Sequence, residues 1–299
     1  MTFFKYLSKI AITVLLVFSS AQADERPPAA TTARTIALGG SVTALGDDAS
    51  TSFWNPSGVA RLQRTEIAWS YADRFGIGLK ANYGSFVFPI FENQALGIDF
   101  LRESFDDSEL GDAFQIFNTT YGIRLHPTLS LGLSGKLVTH TIDLNGASLR
   151  NAKGFGFDLG LLYTPKFKPF DKLRLGLTLQ DVNGTSVRDD ISQREEKIFE
   201  QQLRFGAAFQ AHRNVLLTLD VDDRLYTGVE YQPSSVIALR SGLNYDLSAP
   251  AGADNTMAFA LGMGLKWKNI KLDYAFENHP ALAATHHLSM ALSYNPSLV

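Results

Sequence analysis

The sequence predicts an all-β fold, a membrane-spanning antiparallel β-barrel of about 14 strands with a short helical and turn segment held inside its lumen. Three observations carry this expectation. A leader for export is followed by no further long apolar run. From Thr65 onward the chain alternates with period two, and one stretch, Ala37 to Ala60, reads neither as strand nor as simple turn.

The leader has Lys5 and Lys9 in front, an apolar core from Ile10 to Phe18, and the small-residue step Ala21-Gln22-Ala23. This is the pattern of a secretory signal, predicted to be cleaved near Ala23 after export through the inner membrane. Its apolar core of about nine residues is far short of the roughly 20 that a spanning helix needs. No later stretch comes closer, so a membrane protein of this sequence has to cross by strands. The chain has no cysteine, which removes disulfides, thiol catalysis and cysteine metal sites. A net charge of -3 gives no reason to expect a nucleic-acid partner. Without a linker-like shift in composition, the expected division is a signal over 1–23, a plug over 24–63 and one barrel over 64–299.

The plug stretch reads ALGGSVTALGDDASTSFWNPSGVA. Gly39, Gly40 and Gly46 suit a tight opening turn, the acidic pair Asp47-Asp48 precedes small residues, and Pro56 restricts Asn55 to extended geometry. The Asn55 side chain can bond nearby backbone and Gly58 permits a reversal. Gly39, Gly40, Asp47, Asp48, Trp54, Asn55, Pro56 and Gly58 are therefore the candidate hatch or gating residues, against the alternative of a fixed turn packing Phe53 and Trp54 inward.

In the wall, Met257, Phe259, Leu261, Met263, Leu265 and Trp267 share one face, and Ala258, Ala260, Gly262, Gly264, Lys266 and Lys268 the other. A soluble sandwich also alternates, but its polar face carries long side chains for water. Here that face is rich in Gly, Ala and Ser, which suits a crowded concave interior, while continuous Leu and Phe suit lipid. Trp69, Tyr71, Tyr163, Tyr231, Tyr245, Trp267 and Tyr294 fall near strand ends, as interfacial girdles do.

Strands are expected near 65–72, 81–91, 94–103, 113–126, 129–143, 154–164, 173–182, 201–211, 215–222, 225–232, 236–246, 256–268, 270–277 and 286–294. Connections after even strands are short, and those after odd strands longer, with Asn145 to Lys153 and Asn183 to Glu200 as outer loops. The short Asp223-Arg224 step and the long Pro165 to Lys172 turn break that rule. The alternation slips phase around Gln115 to Asn118, the mark of a bulge or an inward aromatic. Pro89 marks a strand end or a gap in pairing.

Arg34 to Gly40, Asp47-Asp48-Ala49-Ser50 and Trp54-Asn55-Pro56-Ser57-Gly58 resemble, in order and spacing, the hatch signature of the FadL-like superfamily of outer-membrane barrels. That superfamily includes long-chain fatty-acid transporters and the PorV/PorQ group linked to protein secretion. Ser57 stands where alanine is usual, and Tyr294 followed by Asn295 to Val299 departs from a terminal aromatic. Gly228-Val229-Glu230-Tyr231 and Leu239-Arg240-Ser241-Gly242 resemble the later strands of PorV-type members.

The resemblance implies an outer-membrane barrel with a hatch, in contact with outer-membrane lipids. It implies either passage of a hydrophobic molecule such as a fatty acid or an accessory role with a secretion-system protein, and the short loops and small-residue lumen weigh toward the second. An outer-membrane lipid hydrolase is a weaker alternative, because no G-x-S-x-G elbow is present.

Charges of both signs fall on the inward face. Asp99, Arg124, Lys136, Asp158, Arg174 and Asp220 join the lumen candidates Arg204, Glu230, Arg240, Lys266, Lys271 and Asp273. Buried charges have to pair, so most are expected to form a ladder holding the plug, with Arg204 and Arg240 best suited to a carboxylate ligand. The scattered histidines give no metal site, and no cofactor or catalytic residue is expected.

Overall fold

The structure, a computed structural model, describes residues 31–106, 110–248, 257–279 and 282–294. The expected signal over 1–23 with its cleavage near Ala23, the start of the expected plug, and Asn295 to Val299 lie outside the described residues.

Sixteen strands form one antiparallel sheet among these residues, and it closes on itself where β5 (Leu129–Leu144) meets β6 (Ala147–Tyr163). Two of the sixteen, β8 (Ser186–Asp189) and β9 (Glu195–Lys197), make a hairpin that hangs on β6. The other fourteen are the barrel, in agreement with the expectation from alternation. Its ends are joined by β1 (Thr65–Arg74) pairing with β16 (Thr285–Tyr294) over the full length of β1's register. Closure leaves no free edge, which is what allows strands to cross a bilayer with every ladder group paired.

The faces are disposed as the alternation predicts. On β14 (Met257–Trp267) the greasy set is exposed to the outside, Trp267 to 67%. Ala68, Ser70 and Ala72 of β1 are buried toward the lumen. No helix is long and apolar enough to cross a membrane among the described residues.

Four connections at one end are two-residue turns: 92–93, 127–128, 213–214 and 268–269 join successive strands directly. We call this the short-turn end. The opposite end carries the longer connections, but 145–146 is a two-residue turn, so the expected loop from Asn145 to Lys153 is instead the extension of β5 and β6. Asn145 and Gly146 both have positive φ (50° and 77°), the geometry that lets a two-residue hairpin follow the sheet's twist.

The phase slip in β4 (Leu110–His126) is not a bulge: its pairing with β3 (Gln94–Asp106) runs unbroken through Phe117. Ile116 is buried and Phe114 packs beside it, so the slip is an inward aromatic. Pro89 sits at a register irregularity beside the short turn, where a missing donor is tolerated.

Candidate functional site

Residues 31–62 run inside the barrel as a buried segment. It begins with a helical turn, Ala33–Ala37, capped by the Thr32 side chain, and this gives way to Gly39 and Gly40 at φ 65° and 85°. A second turn, Thr51–Trp54, leads through Asn55 to the 3-10 helix Pro56–Arg61. Asn55 is fully buried and ties three places together. Its amide donates to the Thr43 carbonyl at 2.7 Å and to Leu161 of β6 at 3.2 Å, and its Oδ1 accepts from Ser57. Gly58 allows the reversal to close, since a Cβ there would lie 1.9 Å from Thr51 Oγ1.

The wall meets this segment backbone to backbone. Gly122, Gly132 and Gly160 are paired neighbours on β4, β5 and β6. A Cβ on Gly132 would lie 2.2 Å from the Pro56 carbonyl carbon, and one on Gly160 2.2 Å from Asn55 Oδ1. Across the lumen Gly228 of β12 (Arg224–Tyr231) pairs with Gly242 of β13 (Ile237–Asp246). A Cβ on Gly242 would lie 2.1 Å from Gly39 N. The glycines that suited the inward face to a crowded interior are thus the seats of the segment.

Charges fix one flank. Arg34 bonds Asp47 and Asp48 at 2.6 Å each within the segment, and Glu230 of β12 at 3.0 Å. Glu230 also takes Arg240 at 2.6 Å, and Arg240 takes Asp273 of β15 (Ile270–Glu277) at 2.6 Å. Burial opposes the Arg34 charge, yet Asp47, Glu230 and Asp48 outweigh it and hold the guanidinium above its ordinary value. Burial likewise raises Asp47, and Arg34 and then Arg174 overcome it, keeping this carboxyl well below the usual range. Nearby, the fully buried Glu66 accepts from Ala49 N at 2.9 Å and Arg64 at 2.7 Å, with Lys271 at 3.5 Å.

Neutral donors fix the other flank. Asp99 of β3 accepts from Ser52 Oγ at 2.6 Å, Tyr83 OH at 2.7 Å and Asn118 Nδ2 at 3.2 Å. On the side of β12, Asp220 of β11 (Val215–Val221) likewise accepts the Val42 and Thr43 amides at 3.0 and 2.9 Å.

Above the segment, toward the long-loop end, the interior is apolar. Phe53 and Trp54 join Tyr83, Leu101, Ile116 and Val138 of the wall in one cluster. The connection from β7 (Leu173–Gln180) to β10 (Gln202–His212) adds Val187 and Phe199, and Phe199 meets Phe114 at 5.9 Å. The supposed outer loop Asn183 to Glu200 therefore folds back into the barrel mouth. Lys136 holds its root, reaching Asp158 at 2.8 Å and Asp181 at 3.1 Å.

Of the lumen candidates, Glu230, Arg240 and Asp273 come together, and Lys271 serves Glu66. Arg204 bonds Asp222 at 2.7 Å and stacks 5.3 Å from the Trp54 ring. Lys266 is exposed at the end of β14 beside the short turn, so it is a rim residue and does not line the lumen. Sequence reasoning passed over Ser52, Glu66 and Tyr83: Ser52 meets Asp99 47 positions on, Tyr83 meets it from the adjacent strand, and Glu66 reaches back to Ala49 of the segment.

A closed, edge-free sheet with a lipid-type outer face and an internal N-terminal segment defines the class: a plugged, membrane-spanning β-barrel. Its fold is that of the FadL-type channels. The chain is similar to the CymD monoaromatic hydrocarbon channel, with a TM-score of 0.62 and 13% identity over 88% of this chain and 96% of that one. It is similar also to the Pseudomonas putida toluene transporter TodX, at TM-score 0.61 and 12% identity over 89% and 98%. A Pseudomonas aeruginosa FadL homologue superposes with TM-score 0.59 at 12% identity, over 89% and 98% of the two chains. No family model matches the sequence, and no curated protein matches it.

Proposed function

We propose that the protein lies in the outer membrane, with the short-turn end in the periplasm, and passes hydrophobic small molecules across it. The observation that carries this is the apolar cluster inside the lumen. A channel for polar solutes lines its interior with polar groups and water, whereas here Phe53, Trp54, Tyr83, Phe114 and Phe199 line the route from the mouth to the plug. Similarity to a toluene transporter and a monoaromatic hydrocarbon channel supports the same ligand class. The plug closes the route in the state described, so the Asn55-Pro56 step is proposed to part from the wall during passage, with Asp47 and Asp48 held by Arg34 at the hinge. The small-residue lumen, which weighed toward an accessory role in secretion, is accounted for by seating of the plug.

The test is uptake of labelled toluene, decane and oleate by Gram-negative cells producing the protein, beside cells with an empty vector. Faster entry of at least one probe, lost in Phe114→Asp at equal membrane level, is expected. Unchanged entry of all three with a folded, membrane-inserted barrel overturns the reading.

A further inference from the structure

The base of the plug, at the short-turn end, collects hydrogen-bond donors that nothing in the protein satisfies. Arg61 ends the 3-10 helix, and its Nη1 is buried without a partner. The hydroxyls of Ser130 and Thr164 are also buried without partners. These three lie in one corner. Val59 and Ala60, just before Arg61, pack on Gly122, and Pro56 packs on Gly132. Two residues along each strand toward the short turns stand Arg124 and Ser130, which are paired with one another. Ser130 pairs in turn with Leu162, whose methyl group lies near the same Gly46 position that the Arg61 side chain approaches. Thr164 follows two residues later, and its amide donates to Thr128 of the turn that leads into β5. Arg174 enters from β7, one step beyond the last β6–β7 pair, Tyr163 with Leu175.

Three guanidinium groups therefore face this corner with little to neutralise them. Arg124 gives Nη2 to the Glu92 carbonyl at 2.9 Å. Arg174 gives Nη1 to the Leu45 carbonyl at 2.7 Å and stands 3.4 Å from Asp47, whose nearer partner is Arg34. Arg61 has no carboxylate, and burial followed by repulsion from Arg174 and Arg124 lowers its proton affinity. Like charges gathered around orphaned donors are costly unless an acceptor joins them. All the unsatisfied groups can donate, and the acceptor that matches them is an oxyanion, which guanidinium binds with two parallel bonds.

We propose that Arg61, Ser130 and Thr164, with Arg124 and Arg174 beside them, form an oxyanion site beneath the plug that takes a carboxylate, either as the head of an amphipathic acid or as a free small anion. The site lies on the far side of the plug from the apolar cluster and does not depend on the transport reading, because it is tested at equilibrium on purified protein.

The experiment titrates the full barrel, in non-ionic detergent, with decanoate, decanol, acetate and inorganic phosphate by calorimetry. Decanoate is expected to bind and decanol to bind at least tenfold more weakly. Arg61→Gln should weaken decanoate tenfold or more, Arg61→Lys should recover part of it, and Ser130→Ala with Thr164→Val should weaken it several-fold. Heat-modifiable migration verifies that each variant is folded, and the hydroxyl pair serves as the test should Arg61→Gln fail to fold. Acetate and phosphate binding as tightly as decanoate identifies a free-anion site, and decanoate alone identifies an amphipathic acid. Absence of binding by all three anions, or equal affinity in wild type and the folded variants, overturns the proposal.

Discussion

The two flanks of the plug are held by different physics. Toward β12 to β15 it is fixed by a chain of alternating charges, Asp47, Arg34, Glu230, Arg240 and Asp273, each within 3.0 Å of the next. Toward β3 to β6 it is fixed by neutral donors on Asp99, by the Asn55 amide and by glycine seats. Breaking a buried ion pair strands a charge, whereas breaking a neutral bond lets the donor find another partner. The charged flank is therefore expected to stay as a hinge, and the neutral flank to be the side able to part from the wall.

The comparison can be broken most severely at Glu230. Glu230→Ala leaves Arg34 and Arg240 buried without their shared partner, and a loss of about 3–5 kcal/mol in plug anchorage is expected. Protease access to residues 31–62 in the inserted barrel measures it. Gly132→Ala comes next, because the new methyl group meets Pro56 backbone, which cannot swing aside as a side chain can. About 2–3 kcal/mol of overpacking is expected, read as faster labelling of a cysteine placed at Ser57.

Ser52→Ala removes one donor from Asp99 but leaves Tyr83 and Asn118, so about 1.5 kcal/mol is expected. If this change frees the plug more than Glu230→Ala does, the assignment of hinge and moving side is reversed. The smallest effect is that of pH on the charged flank. Asp47 is held below its usual range, so its contribution is complete above the unfolded value near 3.9 and fades only as pH falls through the lower folded value. Protease access at Asp47 should stay flat from pH 7 to about pH 4, and a rise between pH 7 and 5 would contradict the ion-pair chain.

The wall was legible because lipid outside and plug inside impose opposite demands on alternate residues of the same strand. Where that demand lapses, so does the signal. Ala147 to Lys153 continues β6 beyond the greasy stretch, and with Leu149 as its one large exposed apolar residue it reads as loop despite the Asn145-Gly146 turn before it. Val187, Ile191, Ile198 and Phe199 are the only large apolar residues in a polar run, too sparse to set a period, yet the fold draws Val187 and Phe199 inward. Within the plug, Asp47 and Asn55 stood out by their local setting. Their wall partners did not: Glu230 lies 196 positions from Arg34, and Asp220 177 from Thr43, distances over which no local pattern reaches. Ser130 and Thr164 are ordinary small hydroxyls near strand ends, and only packing of the 3-10 helix against β4 to β6 brings Arg61 toward them.

The seam between β1 and β16 also has a bearing on how the molecule is made. The plug precedes β1 directly, and the ring is completed by pairing Thr65 with Tyr294 and Asp73 with His286. Strand order around the ring follows the chain, so this junction joins the earliest and latest wall segments. A segment packed against glycines on both halves of the wall would otherwise have to thread through a mouth of the finished ring to reach its seats. Gathering the strands around residues 31–62 and shutting the ring last avoids that threading, and it makes the earliest part of the wall wait for its final strand.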